Sequence, residues 1–186
     1  MDWHERYRSR PRPFGDAPTP AVRVAFEDPS AVGLSDLLGP TSRPLRVLCP
    51  ADGYGRNGRW IAALGHRVEA CDLVPSAVAD AARLADGAAL PYRTRVADLT
   101  AAEPFAGIDG PFDLIVSAWT HIPDDDARAR WHENALTMLA PGGALVVVTS
   151  PSVITAAQER REWPSISSWT EHSIENEIRL IGRIAS

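Results

Sequence analysis

The chain is predicted to fold as an α/β protein, a three-layer sandwich with a mostly parallel central sheet. Two observations carry this expectation. From Leu45 onward, short apolar runs alternate with segments of helical apolar spacing. The strongest runs, such as "FDLIVSAW" and "ALVVVTS", are nearly continuous in apolar residues, as strands covered on both faces must be. Strands and helices in this alternation give the Rossmann-like arrangement.

Each element has its own signal. Residues 21 to 39 read as one or two short helices stopped by Gly39 and Pro40. Arg46-Val47-Leu48-Cys49 is the first strand. Asn57 to Leu64 is a helix with Trp60, Ile61 and Leu64 on one face, and Gly65 suits its C′ position. "HRVEACDL" is the second strand, and "PSAVADAARLA" is a helix opened by Pro75. "YRTRVADL" is a third strand, less apolar and so nearer an edge, whereas "FDLIVSAW" is central. Asp124-Asp125-Asp126 place carboxylates at the positive end of a long helix. "LAPGG" predicts a sharp turn, and "ALVVVTS" is a fifth strand. In the tail, "PSVITAAQERRE" suits a helix and residues 175 to 185 one closing strand.

Composition narrows the function. A length of 186 residues suits one domain, and the formal charge of −5 argues against wrapping nucleic acid. All 19 basic residues are Arg, which excludes chemistry that needs a lysine amine. Cys49 and Cys71 sit in apolar runs and read as buried, reduced thiols, too few for a zinc site, so no metal is expected. With no apolar leader in "MDWHERYRSRPRPF" and no membrane-length run, a cytoplasmic protein is expected.

"DGYGRNG" at 52 to 58 follows the first strand, where open parallel sheets bind ligands. Glycines there let backbone N–H groups approach a cofactor. Asp72 and Asp98 end the second and third strands. Asp72 is placed to accept from both hydroxyls of an adenosine ribose, and Asp98 from an adenine amine. Each is also a common turn former. A nicotinamide cofactor is the rival reading of Gly53, Gly55 and Gly58, disfavoured by the residues before the first strand and the missing Lys.

The motifs "DWHERYR", "FGDAPTPAV", "GYGRNGRWIAALGHRVEACDL", "VADL", "FDLIVSAWTHIP" and "LAPGGALVVV" together resemble small class I S-adenosylmethionine-dependent methyltransferases, close to the tellurite-resistance and thiopurine methyltransferase group. The resemblance covers residues 3 to about 150. It implies one methyltransferase domain, 1–186, with a helical arm or lid at 1–44, a cofactor-binding core at 45–150 and a substrate-side segment with the closing strand at 151–186.

It further implies roles for matching residues. Ala51, Asp52, Gly53, Gly55 and Asn57 would run beside the methionine part of S-adenosyl-L-methionine. Asp72 with Leu73 would hold the ribose, and Asp98 with Leu99 would flank the adenine. Ser117, Ala118 and Trp119 would border the methyl, and Trp3 and Tyr7 would fold over the cofactor. The usual acid and first glycine are replaced in Cys49-Pro50-Ala51. Asp52 is the candidate to take over the missing charge, and a non-catalytic relative acting through a protein partner is the alternative.

In-line methyl transfer needs orientation and water exclusion, and no covalent enzyme group. His121, after the fourth strand, and Tyr7 are the candidates for contact with the reacting groups, with His121 a base or a loop residue orienting Trp119. His132 and His172 are expected to be structural. Tyr54 reads as a cofactor contact or a solvent-facing loop residue, Arg6 to Arg12 as a solvated arm or an anion lure, and Trp163 and Trp169 as a pocket roof or core. The expected partner is a small-molecule acceptor carrying an S, O, N or metalloid nucleophile, in a monomer or homodimer without nucleic acid or membrane. The product would be S-adenosyl-L-homocysteine.

Overall fold

The structure is a computed structural model that describes residues 2–10, 12–40, 42–150, 152–163, 165–174 and 177–184. Its centre is a seven-stranded sheet: β1 (Arg46–Pro50), β2 (Arg67–Asp72), β3 (Tyr92–Val96), β4 (Phe112–Ala118), β5 (Leu139–Thr149), β6 (Ser168–Ile174) and β7 (Glu177–Arg183). The spatial order is β3-β2-β1-β4-β5-β7-β6. β1 to β5 run parallel, and β7 lies antiparallel between β5 and β6. Helices α1 (Trp3–Ser9), α2 (Pro20–Glu27), α3 (Ser35–Leu38), α4 (Arg56–Ala63), α5 (Pro75–Gly87), α6 (Asp125–Thr137) and α7 (Ala156–Glu162) complete it.

The period of two along each strand builds two cores. Val47, Cys49, Val146 and Val148 face one side with Val22 of α2, Ile61 of α4 and Ala81 of α5. Leu48, Cys71, Leu145 and Val147 face the other, where Trp131 of α6 and Trp163 pack. The two thiols are therefore buried on opposite faces of the sheet and remain free.

Helix starts follow their signals. Asp124 caps α6 by accepting from the Ala127 N–H at 2.7 Å. Thr155 and Gln158 form a reciprocal capping box on α7. Among the described residues, no helix is long and apolar enough to cross a membrane.

Two expectations change, and one open reading closes. "LAPGG" does not end a helix with a plain turn but begins β5. Pairing moves from Phe112↔Leu139 to Leu114↔Ala144, so the extra residues bulge out, with Gly142 at φ 72°. The tail holds a strand pair where one strand was expected. β6, "SWTEHSI", is an antiparallel edge whose polar alternation hides it from an apolar search. Residues 175, 176 and 185 of the expected closing strand lie outside the described ones. Trp163 is core, 1% exposed, and does not roof a pocket.

Candidate active site

The strand order reverses between β1 and β4, so a crevice opens beyond their carboxyl ends. The residues immediately after both strands have left-handed backbones: Ala51 at φ 52° and Trp119 at φ 63°. Such angles are uncommon for non-glycine residues and cost roughly 1–3 kcal/mol each. Ala51 thus keeps the conformation of the glycine it replaces, and Trp119 is held by its N–H donating to the Val148 carbonyl at 2.9 Å.

The glycine loop is built from below. The Asp52 carboxylate turns inward, accepting from the Gly58 N–H at 3.2 Å and from the Tyr92 hydroxyl at 3.1 Å. A Cβ on Gly58 would lie 2.4 Å from Asp52 Oδ2, and one on Gly55 would lie 2.9 Å from the Tyr92 oxygen. Gly55 and Gly58 therefore make room for this internal pair. Burial pushes the Asp52 carboxyl up to about 7, while the Gly58 N–H and Tyr92 hydroxyl pull it down. Asp52 does not face outward as a replacement charge, because the start of α4 offers it a closer donor. Tyr92 was missed from sequence, its only signal being an aromatic ring in an otherwise polar strand.

Gly53 alone turns its open side to the arm. At φ 57°, a Cβ there would stand 2.4 Å from the Tyr7 hydroxyl oxygen. Asp72, 8% exposed, ties this loop to β2. Its Oδ2 accepts from the Gly53 N–H at 2.8 Å and its Oδ1 from the Val74 N–H at 2.9 Å. Burial raises its carboxyl above the usual range against the pull of those N–H groups. Each oxygen keeps a second lone pair for a ligand hydroxyl. Leu73, beside it, is 45% exposed.

The remaining predicted residues divide. Asp98 is exposed at the β3 tip, and one of its oxygens accepts from the Thr100 N–H and hydroxyl. Leu99 is buried in the core. The Ser117 hydroxyl donates to Thr120 at 3.1 Å, Ala118 is buried, and Trp119 stands exposed at the β4 tip.

Asn57, an expected cofactor residue, and Tyr54, for which a cofactor contact or a solvent-facing place was open, both fasten the arm. Tyr54 is buried; its hydroxyl donates to the Gly15 carbonyl at 2.7 Å and accepts from the Phe14 N–H at 3.2 Å. Asn57, also buried, accepts from the Thr19 N–H at 2.8 Å. Both lie under the arm because orphaned backbone donors and acceptors of residues 14 to 19 need partners. Trp3 stacks on Tyr7 at 6.0 Å between ring centres, and Tyr7 meets Tyr54 edge-on. Burial and the nearby Asp72 carboxylate raise the Tyr7 phenol well above its ordinary value. The phenol therefore keeps its proton at neutral pH.

On the other side of the crevice, His121 is exposed at the rim of a cavity of about 100 Å³. Thr120, Thr149, Val153, Ile154 and Gln158 line it with Arg128. His132 lies away from it, buried against Trp163 at 4.1 Å, and burial lowers its ring to about 4, in keeping with a structural role. Among the described residues, no three His, Cys, Asp or Glu side chains form a metal-binding group.

Residues 47–143 match the family model for a methyltransferase domain, more than half of the chain. The chain belongs to this methyltransferase family, whose methyl donor is S-adenosylmethionine. No curated protein matches it. Among solved structures it is similar to one from work on the conversion of a disulfide bond into a thioacetal group during echinomycin biosynthesis. That pair shares 21% identity, 98% of this chain, 91% of the other and a TM-score of 0.73. Magnesium protoporphyrin IX methyltransferase from Synechocystis PCC 6803, solved with bound SAM, is 18% identical over 98% of this chain and 95% of its own, with a TM-score of 0.68. TehB from Haemophilus influenzae is 17% identical over 82% of this chain and 60% of its own, with a TM-score of 0.64. At these identities the likeness is one of fold.

The residues present suit the donor. A side-chain-free Gly53, a carboxylate with spare lone pairs at Asp72, and exposed apolar side chains at Leu73 and Trp119 stand along one sheet edge. That mixture suits a nucleoside, with apolar side chains against the flat faces of its base and a carboxylate for its sugar hydroxyls.

Proposed function

We propose that this chain transfers a methyl group to a small-molecule acceptor seated in the cavity beside His121. The observation that carries the reading is the placement of the Asp72-anchored glycine loop and the His121 cavity on the same carboxyl edge of the sheet. The net charge of −5 favours a small molecule over nucleic acid. The sequence motifs support a place near the tellurite-resistance and thiopurine methyltransferase group. We read the chain as one unit in which residues 1–44 act as a lid and 151–186 as the acceptor side.

When bound, S-adenosylmethionine supplies a methyl carbon made electrophilic by its sulfonium. Asp72 would hold the sugar hydroxyls, Leu73 would wall the base, and the spare oxygen of Asp98 would meet the amine. Ser117, Ala118 and Trp119 would border the methionine portion and set the approach line of the acceptor. Trp3 and Tyr7 keep water from the loop, with Tyr7 donating its hydroxyl proton in a hydrogen bond. His121 would take the proton of an O–H, S–H or N–H acceptor. The retained left-handed turn at Ala51 supports a working loop over a non-catalytic relative.

Calorimetry with S-adenosylhomocysteine tests the reading; a folded protein that gives no heat would remove it. Asp72→Ala should weaken that binding by roughly 1.5–3 kcal/mol, the loss of a hydrogen bond to a charged group. His121→Ala should leave this affinity unchanged and cut turnover about 10²-fold or more with an acceptor that must lose a proton. Full turnover would show that the acceptor arrives already ionised.

A further inference from the structure

The charge state of the cavity lining restricts what can sit in it. Among the described residues that line it, Arg128 is the one permanently charged side chain. Its guanidinium is already committed. Nε and Nη2 donate to Glu162 at 2.7 and 3.0 Å, Nη2 also donates to Asp125 at 2.8 Å, and Nη1 donates to the Ile122 carbonyl at 2.8 Å. The guanidinium beside the cavity is thus already paired, chiefly by Glu162 at 24% exposure, with the 88% exposed Asp125 adding a surface contact.

The uncommitted groups are all of another kind. The Thr149 hydroxyl and the His121 ring have no hydrogen-bond partner among the described residues, and Gln158 uses its carbonyl oxygen on Thr155 and keeps its amide N–H groups. Val153, half exposed, and Ile154 add an apolar side. A tetrahedral or pyramidal oxyanion is held best by an unpaired cation, and here the guanidinium it would reach is already taken by Glu162. A neutral molecule with one apolar flank and one hydroxyl, thiol or amine meets donors and acceptors that await it.

We infer that this cavity selects an uncharged acceptor and rejects oxyanions, the Glu162 and Asp125 carboxylates acting as the specificity determinants through Arg128. The inference rests on the reading of this edge as the acceptor site. It separates the chain from enzymes that methylate a metalloid oxyanion, despite the shared motifs.

The test is methyl NMR of the protein saturated with S-adenosylhomocysteine, with phenol as the neutral probe and selenite as the oxyanion. Phenol should shift the Val153 and Ile154 methyl signals saturably in the millimolar range, and selenite should leave them in place at tenfold higher concentration. In Glu162→Gln, and more weakly in Asp125→Asn, the released guanidinium should make selenite shift the same signals. An unchanged S-adenosylhomocysteine affinity in those variants shows that they fold. Selenite binding to the unaltered protein as readily as phenol overturns the inference. So does silence of phenol, or continued silence of selenite in both folded variants. Absence of S-adenosylhomocysteine binding itself would instead sink the methyltransferase reading.

Discussion

At the scale of single residues, Asp52 shows how a loop carboxylate can serve the backbone. It accepts from the start of α4 and from Tyr92, a residue of β3, and burial lifts its carboxyl from 3.8 to about 7. Between about pH 4 and 7 the native state therefore holds a proton that the unfolded chain has released. Stability from this group is full below pH 4 and is lost as pH rises through 7. The two values differ by at most about 4 kcal/mol in free energy. Asp52→Asn should remove that loss, so the variant gains on the wild type from pH 4 to 8 in urea melts. Parallel stability curves across that range would show that Asp52 is ionised throughout.

Among elements, the arm of α1 and residues 12 to 19 depends on a few polar clips more than on its own packing. No residue of α1 is buried; its Tyr7 meets Tyr54 edge-on, while Tyr54, Arg56 and Asn57 bond the backbone of Phe14, Gly15 and Thr19. Arg56 adds bonds to the Phe14 carbonyl at 3.0 Å and the Thr19 hydroxyl at 2.6 Å. Tyr54→Phe removes two of these bonds and leaves the Gly15 carbonyl and Phe14 N–H short of a partner, a local cost of about 1–3 kcal/mol. The arm should then be cut by protease in the first 16 residues several-fold faster, while the denaturant midpoint of the sheet stays put. Equal cutting rates would mean that the rings alone hold it. The five parallel strands and their helices were legible because their apolar periods are local. β6 was not, since a solvent-facing edge strand acquires its pattern from β7.

Across the whole molecule, two buried titrating groups on opposite faces of the sheet work against each other. His132 packs on Trp163 in the second core, and burial lowers its ring from 6.5 to about 4. Its contribution is complete above pH 6.5 and is lost as pH falls toward 4, the reverse of Asp52 and in an overlapping window. The native protein should therefore show a shallow pH dependence there. His132→Phe should unmask a stability that falls as pH rises from 4 to 6.5, by up to about 3 kcal/mol relative to wild type. A variant curve parallel to the wild type would show that His132 does not titrate in this range.

What the sequence by itself determined was the layered parallel architecture, the glycine bend after the first strand and the two carboxylates at the strand tips. Each of these depends on residues close together in the chain, where periods of two and 3.6 and a glycine bend leave a direct mark. The tertiary structure alone decided which way the loop side chains face. Asp52 answers to Tyr92 and Asn57 to Thr19, partners 40 and 38 residues away. Whether the Arg128 charge is spent was settled the same way, by Glu162, which lies 34 residues on. A buried polar group takes whichever partner the fold brings within hydrogen-bond reach, and a linear pattern carries no record of that choice.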